Sequence, residues 1–563
     1  MRKKILIGAD SFEKIIEGNF FYVDKTLFIK ELLEEKGDVT LITRPRRFGK
    51  TLNMNMLRRF FDVNRDSKAL FDGLKIMDHK DIIEEHLHKY PVIFLTLKNV
   101  EENTYQEAVN KLKRVVSSVY FQNFYLYESD KLTERQKKDF YMYYDKEATE
   151  TELKDALIFL TECLYTHHKK RVIILLDEYD APINNALMKG YYQKMLDFMR
   201  GFLGSVFKTN DYLEFGVLTG VQRISQESLI SSFNNSLVCG IMNKEFATCF
   251  GFTEVEVKEA CEMYGVGDQF EQVESWYDGY RFGGLDMYNP WSITGYLKAR
   301  ELKEYWVYTG SMDILADIFF KGTVGLKNDM AGLLTGTPIK MKYDEHIIYP
   351  IRYEKNDIFW SMLLNTGYIK PCAGHTGDVF YAELVNREVR NLFANCIDLW
   401  FKSQQQAIHR SIQEFVTYLL IGDANGVSDT LNKELLNNPS CYDFKAENSY
   451  YMFIFGILLA VSGDYTVYSN PETGKGRSDC LIKPLDKEKY AVVIEFKHER
   501  EEGKDLQEVA REGLKQIEEK AYIHNLKKEG YTRLYKYGIA FHKKNCEVAL
   551  EIETFFPRIT TIN

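Results

Sequence analysis

Two short stretches carry residue types suited to phosphate chemistry. The first is Thr43-Arg-Pro-Arg-Arg-Phe-Gly-Lys-Thr51. Backbone N–H groups of such a loop, together with the positive end of a following helix, surround phosphate oxygens. Lys50 is placed to bridge the β- and γ-phosphates and the Thr51 hydroxyl to ligate Mg²⁺, while Gly49 lets the backbone come close. Arg46, Arg47 and Phe48 complete the nucleotide-binding candidates. The full phosphate-loop pattern G-x-x-x-x-G-K-[ST] opens on glycine, and here that position holds Arg44. The second stretch is Asp177-Glu178, directly after the apolar run Val172–Leu176. Asp177 is positioned to hold Mg²⁺, directly or through water, and Glu178 to orient and polarise the attacking water. Solvated acids at the end of an ordinary strand are the plain alternative. Thr219, in Leu218-Thr-Gly220, is a candidate sensor of the γ-phosphate, and Arg223 is as suited to a surface as to charge stabilisation.

A second constellation lies near the other end of the chain. Asp479 stands at the start of one β-rich run and Glu495-Phe-Lys497 ends the next. Glu495 and Lys497, two apart, share a strand face. Two carboxylates and a backbone carbonyl make a hard-oxygen Mg²⁺ or Mn²⁺ site, and a lysine beside it can hold and polarise a water, the equipment for cleaving a phosphodiester. Glu-x-Lys on a strand is ordinarily a solvated face, but Glu495 ends an apolar strand, where an acid is less comfortable.

The elements that must position these residues follow from periodicity. Runs 38–43, 92–97, 171–176 and 212–219 read as buried strands, and 52–61, 104–124, 151–168 and 191–207 as helices. That alternation predicts an α/β fold with a parallel sheet covered on both faces, and ligands in such a sheet sit at the C-terminal strand edge. After Phe252 helical patterns dominate, opened by a capping box at Thr253 and Glu256 and interrupted by an aromatic, glycine-rich loop at 276–284. From about Cys441 the order is helix (447–461), strands near 465–469, 479–483 and 490–497, helix 505–528, strand 536–541. Three domains are expected: a phosphate-loop core at 1–252, a helical lid and connecting region at 253–440, and a smaller α/β unit at 441–563.

Composition bounds the function. The 563-residue chain is 45% apolar and 28% charged, the profile of a soluble globular protein. Its longest apolar run, near 450–461, is too short to span a bilayer. The nine cysteines are scattered without a Cys-x-x-Cys pair, which argues against zinc or disulfides and fits a reduced, cytoplasmic setting. A net charge of −9 excludes a uniformly basic nucleic-acid face but not local patches.

The N-terminal segments resemble the AAA-ATPase-like family of P-loop ATPases. The matching text is Tyr22-Val-Asp-Lys-Thr26, Arg44–Thr51, Leu175-Leu-Asp-Glu-Tyr-Asp-Ala-Pro182, Leu218-Thr-Gly220 and Trp276-Tyr-Asp-Gly-Tyr-Arg-Phe282. The resemblance spans roughly 5–300, implies ATP, and tolerates arginine at position 44; Asp24-Lys25-Thr26 suits a structural salt bridge as well as a nucleotide contact. The C-terminal text resembles the PD-(D/E)XK nuclease-like domain: Glu447, Ser469-Asn470, Gly474–Asp479, Glu495-Phe-Lys497 and Gln516–Tyr522. That resemblance makes Asp479 and Glu495 metal ligands, Lys497 catalytic, Glu447 and Gln516 supporting, and DNA the favoured nucleic acid. The expected function is therefore an ATPase coupled to a metal-dependent nuclease-like domain. The alternatives are a nucleotide-switched interaction protein that binds nucleic acid or protein without cleaving, and some other phosphoryl-transfer enzyme. An arginine supplied by a second subunit of an oligomer is conceivable, though no residue identifies it.

Overall fold

The computed structural model describes residues 2–35, 37–224, 236–306, 324–334, 336–344, 356–372, 377–393, 406–437, 465–469, 472–473, 476–477, 480–499, 503–519, 523–543 and 545–555. The chain divides into two compact units, Met1–Thr309 with Lys340–Glu388, and Gly310–Ile339 with Val389–Asn563.

The first unit is built on a five-stranded sheet of β1 (Val39–Thr43), β2 (Val92–Thr96), β3 (Val172–Asp177), β4 (Leu213–Gly220) and β5 (Ser236–Cys239). Their order is β2-β3-β4-β1-β5, and every pairing is parallel. Every residue of β1 and of β3 is buried, as strands covered by helices on both faces must be. The parallel register has a direct consequence. Thr43, Thr96, Asp177 and Thr219 all arrive at one edge, because Thr96 pairs with Asp177 and Ile42 with Thr219. The strand β5 went unread in the sequence: four residues, Ser-Leu-Val-Cys, are too short to show a period.

The region after Phe252, read as helical apart from one loop, also holds strands. β6 (Phe252–Thr253), β7 (Tyr280–Phe282) and β8 (Leu285–Tyr288) form a small antiparallel sheet, with helices Glu254–Tyr264, Phe270–Tyr277 and Pro290–Ala299 around it. The expected aromatic loop is thus a helix end followed by a tight hairpin. Its two-residue turn is Gly283-Gly284, both at positive φ (56° and 88°), the geometry such hairpins require and glycine supplies. The expected capping box is present: Thr253 Oγ1 accepts from Glu256 N, and Glu256 Oε2 from Thr253 N. A further antiparallel pair, β9 (Ile369–Pro371) and β10 (Val379–Leu384), belongs to the same unit.

The second unit carries a mixed sheet of β11 (Tyr465–Ser469), β12 (Cys480–Pro484), β13 (Ala491–His498), β14 (Arg533–His542) and β15 (Asn545–Thr554) in sequence order. Only β13 and β14 run parallel, and the helix Leu506–Glu519 between them makes that crossover. Helices Gln406–Ile421 and Ala424–Asn437 pack on this sheet; Asn432 exchanges hydrogen bonds with the backbone of Cys546 (2.8 and 2.7 Å), and Tyr537 Oη donates to Leu419 O (3.0 Å). β15 was not foreseen, since its glutamates mask the alternation. The helix expected at 447–461 lies outside the described residues.

Candidate functional site

The loop between β1 and the helix Lys50–Phe61 surrounds one side of a cavity of about 360 Å³ lined by Arg46, Arg47, Phe48, Gly49, Lys50 and Thr51, with Glu178 opposite. Gly49 caps the helix at φ 82°. The Lys50 ammonium donates to Arg44 O (3.0 Å) and Pro45 O (2.9 Å), which fixes it across the loop. Burial lowers its pKa, opposed by the nearby carboxylates of Glu178 and Asp177, and an anionic phosphate would favour the charged form further.

Asp177 is fully buried at the end of β3 and is held by hydroxyls from three elements. Oδ2 accepts from Thr51 (2.7 Å) and from Thr96 (3.4 Å), and Oδ1 from Thr219 (2.7 Å). Thr51 and Asp177 are hard oxygen donors in contact, a pair that fits Mg²⁺ bound mainly through phosphate oxygens and water. No group of three or more His, Cys, Asp or Glu suited to a metal occurs among the described residues, and a site completed by a nucleotide needs none. Glu178 takes φ 53°, rare for a side-chain-bearing residue. Burial raises its carboxyl above the ordinary range, with Lys50 pulling the other way. Asp180 is buried too and accepts from Val221 N and Gln222 N, both at 3.0 Å.

The loop is gripped from behind, and this the sequence reading did not anticipate. Arg44 is entirely buried. Its guanidinium donates to the carbonyls of Thr43 (2.8 Å), Cys239 (3.0 Å), Gly240 (2.9 Å), Glu245 (3.3 Å) and Phe246 (3.2 Å) and lies over the Phe282 ring at 5.0 Å. Arg46 O accepts from Trp306 Nε1 (3.1 Å) and Asn289 Nδ2 (3.4 Å). Arg47 stacks on Trp291 at 4.2 Å. Phe48 packs edge-on against Tyr280 and Phe282, with ring centroids 4.8 and 5.1 Å apart. The aromatic stretch 276–282 is therefore core that braces the loop. Asn289-Pro290, a cap followed by proline at the first helical position, was the legible signal for the helix carrying Trp291.

In the second unit, Glu495 is 2% exposed on β13. The Gln516 amide donates to Glu495 Oε1, and Lys497 Nζ donates to Gln516 Oε1, with Lys497 Nζ 3.7 Å from Glu495. Glu495, Lys497 and Gln516 thus form one chain of contacts between β13 and the helix Leu506–Glu519. A buried carboxylate on a strand, beside a lysine, is a donor that fits a hard divalent cation. Asp479 and Glu447 lie outside the described residues.

Comparison with known proteins agrees with both halves. Residues 6–230 match the family model described as Predicted AAA-ATPase, and residues 445–551 match the PD-(D/E)XK nuclease superfamily. The chain carries a predicted AAA-ATPase domain and, after it, a PD-(D/E)XK nuclease-superfamily domain. It is also 30% identical over 320 residues to an Azotobacter chroococcum mcd 1 protein described as "Uncharacterized protein in vnfD 5'region"; the match covers 56% of this chain and 56% of that one, so the chain spans about half the length of that relative.

Within the AAA-ATPase domain, the expected residues Arg46 to Thr51 and Glu178 line one cavity. Asp177 and Thr219 do not line it; Asp177 accepts from the cavity-lining Thr51, and Thr219 donates to Asp177. Thr219, expected to sense the γ-phosphate, spends its hydroxyl on Asp177. Arg223 is not among the cavity-lining residues. Lys25 of the Asp24-Lys25-Thr26 motif forms an ion pair with Glu256 (2.7 Å) and donates to Thr248 O (2.8 Å). Asp24 accepts from Thr26 Oγ1 (2.6 Å) and Lys75 N (2.7 Å). The motif ties the N-terminal segment to its neighbours. No helix among the described residues is long and apolar enough to cross a membrane.

Proposed function

We propose that this protein binds Mg²⁺–ATP in the cavity beside Lys50 and hydrolyses it, and that the PD-(D/E)XK domain at 441–563 is a metal-dependent nuclease acting on DNA. The contact of Thr51 Oγ1 with Asp177 Oδ2 at 2.7 Å, beneath a cavity that Lys50 and Glu178 share, carries the first part. We take 1–252 as the ATPase core and 253–440 as its lid and connecting region, in a cytoplasmic protein whose described cysteines are all free thiols.

Lys50 and the N–H groups of the loop hold the β- and γ-phosphates. Mg²⁺, when bound, supplies positive charge to the phosphate oxygens and is held by Thr51 and, directly or through water, Asp177. Thr96 and Thr219 fix the Asp177 carboxylate. Glu178 orients a water and holds its proton as the water oxygen attacks the γ-phosphorus. The bond from that phosphorus to the bridging oxygen breaks, its electron pair stays on ADP, and inorganic phosphate leaves. In the nuclease domain Glu495, with Asp479, would hold a divalent cation, Mg²⁺ or Mn²⁺, which would polarise the scissile phosphate; Lys497 would position the water, and Gln516 holds Lys497 and Glu495 in place.

The test is direct. Lys50→Ala abolishes ATP hydrolysis; Glu495→Ala abolishes divalent-dependent cleavage of DNA and leaves the ATPase intact. Wild-type protein that binds ATP but cleaves neither DNA nor RNA with Mg²⁺ or Mn²⁺ would instead mark a nucleotide-switched binding protein.

A further inference from the structure

We infer that Arg46 contacts the γ-phosphate of the bound nucleotide within the same chain, so that hydrolysis needs no arginine from a second copy. This rests on the ATP reading above and adds the group that distinguishes triphosphate from diphosphate.

The phosphate loop holds three arginines, and two are occupied. Arg44 is buried on five carbonyls, and Arg47 is laid on Trp291. The Arg46 side chain is exposed and lines the cavity, and its guanidinium makes no hydrogen bond or ion pair among the described residues. Its root is nonetheless rigid. Asn289 and Trp306, both buried, hold its carbonyl from behind, so the side chain leaves a fixed point at the cavity rim. Preorganised donors of this kind are worth most when charge develops in front of them, because they need no reorganisation.

The surroundings specify what it would meet. Arg46 acts by charge on both Lys50 and Arg47, and so does Glu178. The cations and the residue that would hold the water therefore crowd one end of the cavity. A second cation beside a buried lysine is unfavourable until a polyanion lies between them. During hydrolysis negative charge collects on the γ-phosphoryl and bridging oxygens as the bond to ADP breaks, and an arginine there donates hydrogen bonds without giving up a proton.

The experiment uses the full chain with Mg²⁺ and compares wild type, Arg46→Ala and Arg46→Lys. Three quantities are read: Kd for fluorescently labelled ATP and ADP, kcat for ATP hydrolysis, and melting temperature. Arg46→Ala is expected to lower kcat roughly 10²–10³-fold and to remove about a factor of ten of the preference for ATP over ADP, with ADP affinity and melting temperature unchanged. Arg46→Lys keeps part of both, free guanidinium partly restores Arg46→Ala, and wild-type kcat is independent of protein concentration. An unchanged ATP-to-ADP preference in Arg46→Ala overturns the inference, as does an equal loss of affinity for both nucleotides. So does recovery of hydrolysis on mixing Arg46→Ala with Lys50→Ala, which would place the working arginine on another copy. Wild type that binds neither nucleotide sinks the ATP reading and this inference together; binding with discrimination indifferent to Arg46 sinks the inference alone.

Discussion

Replacing Arg44 by glycine restores the residue that phosphate loops ordinarily carry at that position, and the structure makes it a damaging change. The Arg44 guanidinium satisfies five carbonyls at 2.8–3.3 Å from a site without solvent exposure. Burial pushes its pKa down to about 10, so it is still charged at neutral pH. Hydrogen bonds from a charged donor are worth about 1.5–3 kcal/mol each. Removing the side chain does not forfeit all five in full, because water enters the vacated space and the cost of burying the charge disappears. The balance resembles the removal of one partner from a buried ionic network, about 3–5 kcal/mol. At roughly 2–4 °C per kcal/mol for a domain of this size, Arg44→Gly is expected to lower the melting temperature of the ATPase domain by roughly 6–20 °C. Arg44→Lys should fall between, since a single ammonium reaches fewer carbonyls. The assay is thermal and urea unfolding without nucleotide. An Arg44→Gly protein as stable as wild type, or more so, would refute the view that tertiary contacts rather than glycine set this loop.

Glu178→Gln should bind ATP about as well as wild type while losing hydrolysis. Because burial raises the Glu178 carboxyl, the carboxylate form is lost at a higher pH than for an exposed glutamate; kcat/KM should fall as pH drops through that raised value, and an acid limb in the ordinary carboxylate range would contradict the assignment. Thr219→Val leaves Asp177 Oδ1 without its 2.7 Å donor and should weaken the apparent Mg²⁺ affinity by roughly 10–100-fold with little change in metal-free nucleotide binding; loss of γ-phosphate discrimination instead would return Thr219 to the role of a sensor. Glu495→Gln should abolish the rise in melting temperature that Mn²⁺ gives the second unit, and a variant stabilised by Mn²⁺ as much as wild type would remove Glu495 from the metal site.

What could be read in the sequence, and what could not, follows from the range of the interactions. Val172–Asp177 and Asp38–Thr43 announce themselves because a strand buried on both faces is apolar throughout, and a glycine-lysine-threonine at the mouth of one of them is a local pattern. The parallel sheet is α/β as expected. The capping box at Thr253 and Glu256 is local too. By contrast Asn289, Trp291 and Trp306 reach the phosphate loop across more than 200 positions of sequence, and nothing periodic marks a residue whose job is to hold a distant carbonyl. The hairpin at Tyr280–Tyr288 was legible in principle, through Gly283-Gly284, but its first strand, Tyr280–Phe282, is too short to show a period. The partner of Thr219 was not legible, because the strand order that sets β4 between β1 and β3 decides which neighbour its hydroxyl meets.

The arrangement also explains how a loop of this pattern keeps its shape with so little glycine. Between Thr43 and Gly49 there is none, and Arg47 takes φ 70°, a left-handed conformation that costs a side-chain-bearing residue about 1–2 kcal/mol. Glu178 bears a similar cost across the cavity. Such backbone persists only where its surroundings over-determine it, and here several segments hold the loop: Arg44 is held by β5 and the turn after it, Arg46 by Asn289 and Trp306, Arg47 by Trp291 and Phe48 by β7, with Gly367 close against Pro45. The loop keeps this shape only while those segments stay docked. Linkage then runs both ways: if docking of 240–306 and of Gly367 organises the loop, a nucleotide bound there must stabilise that docking by the same free energy.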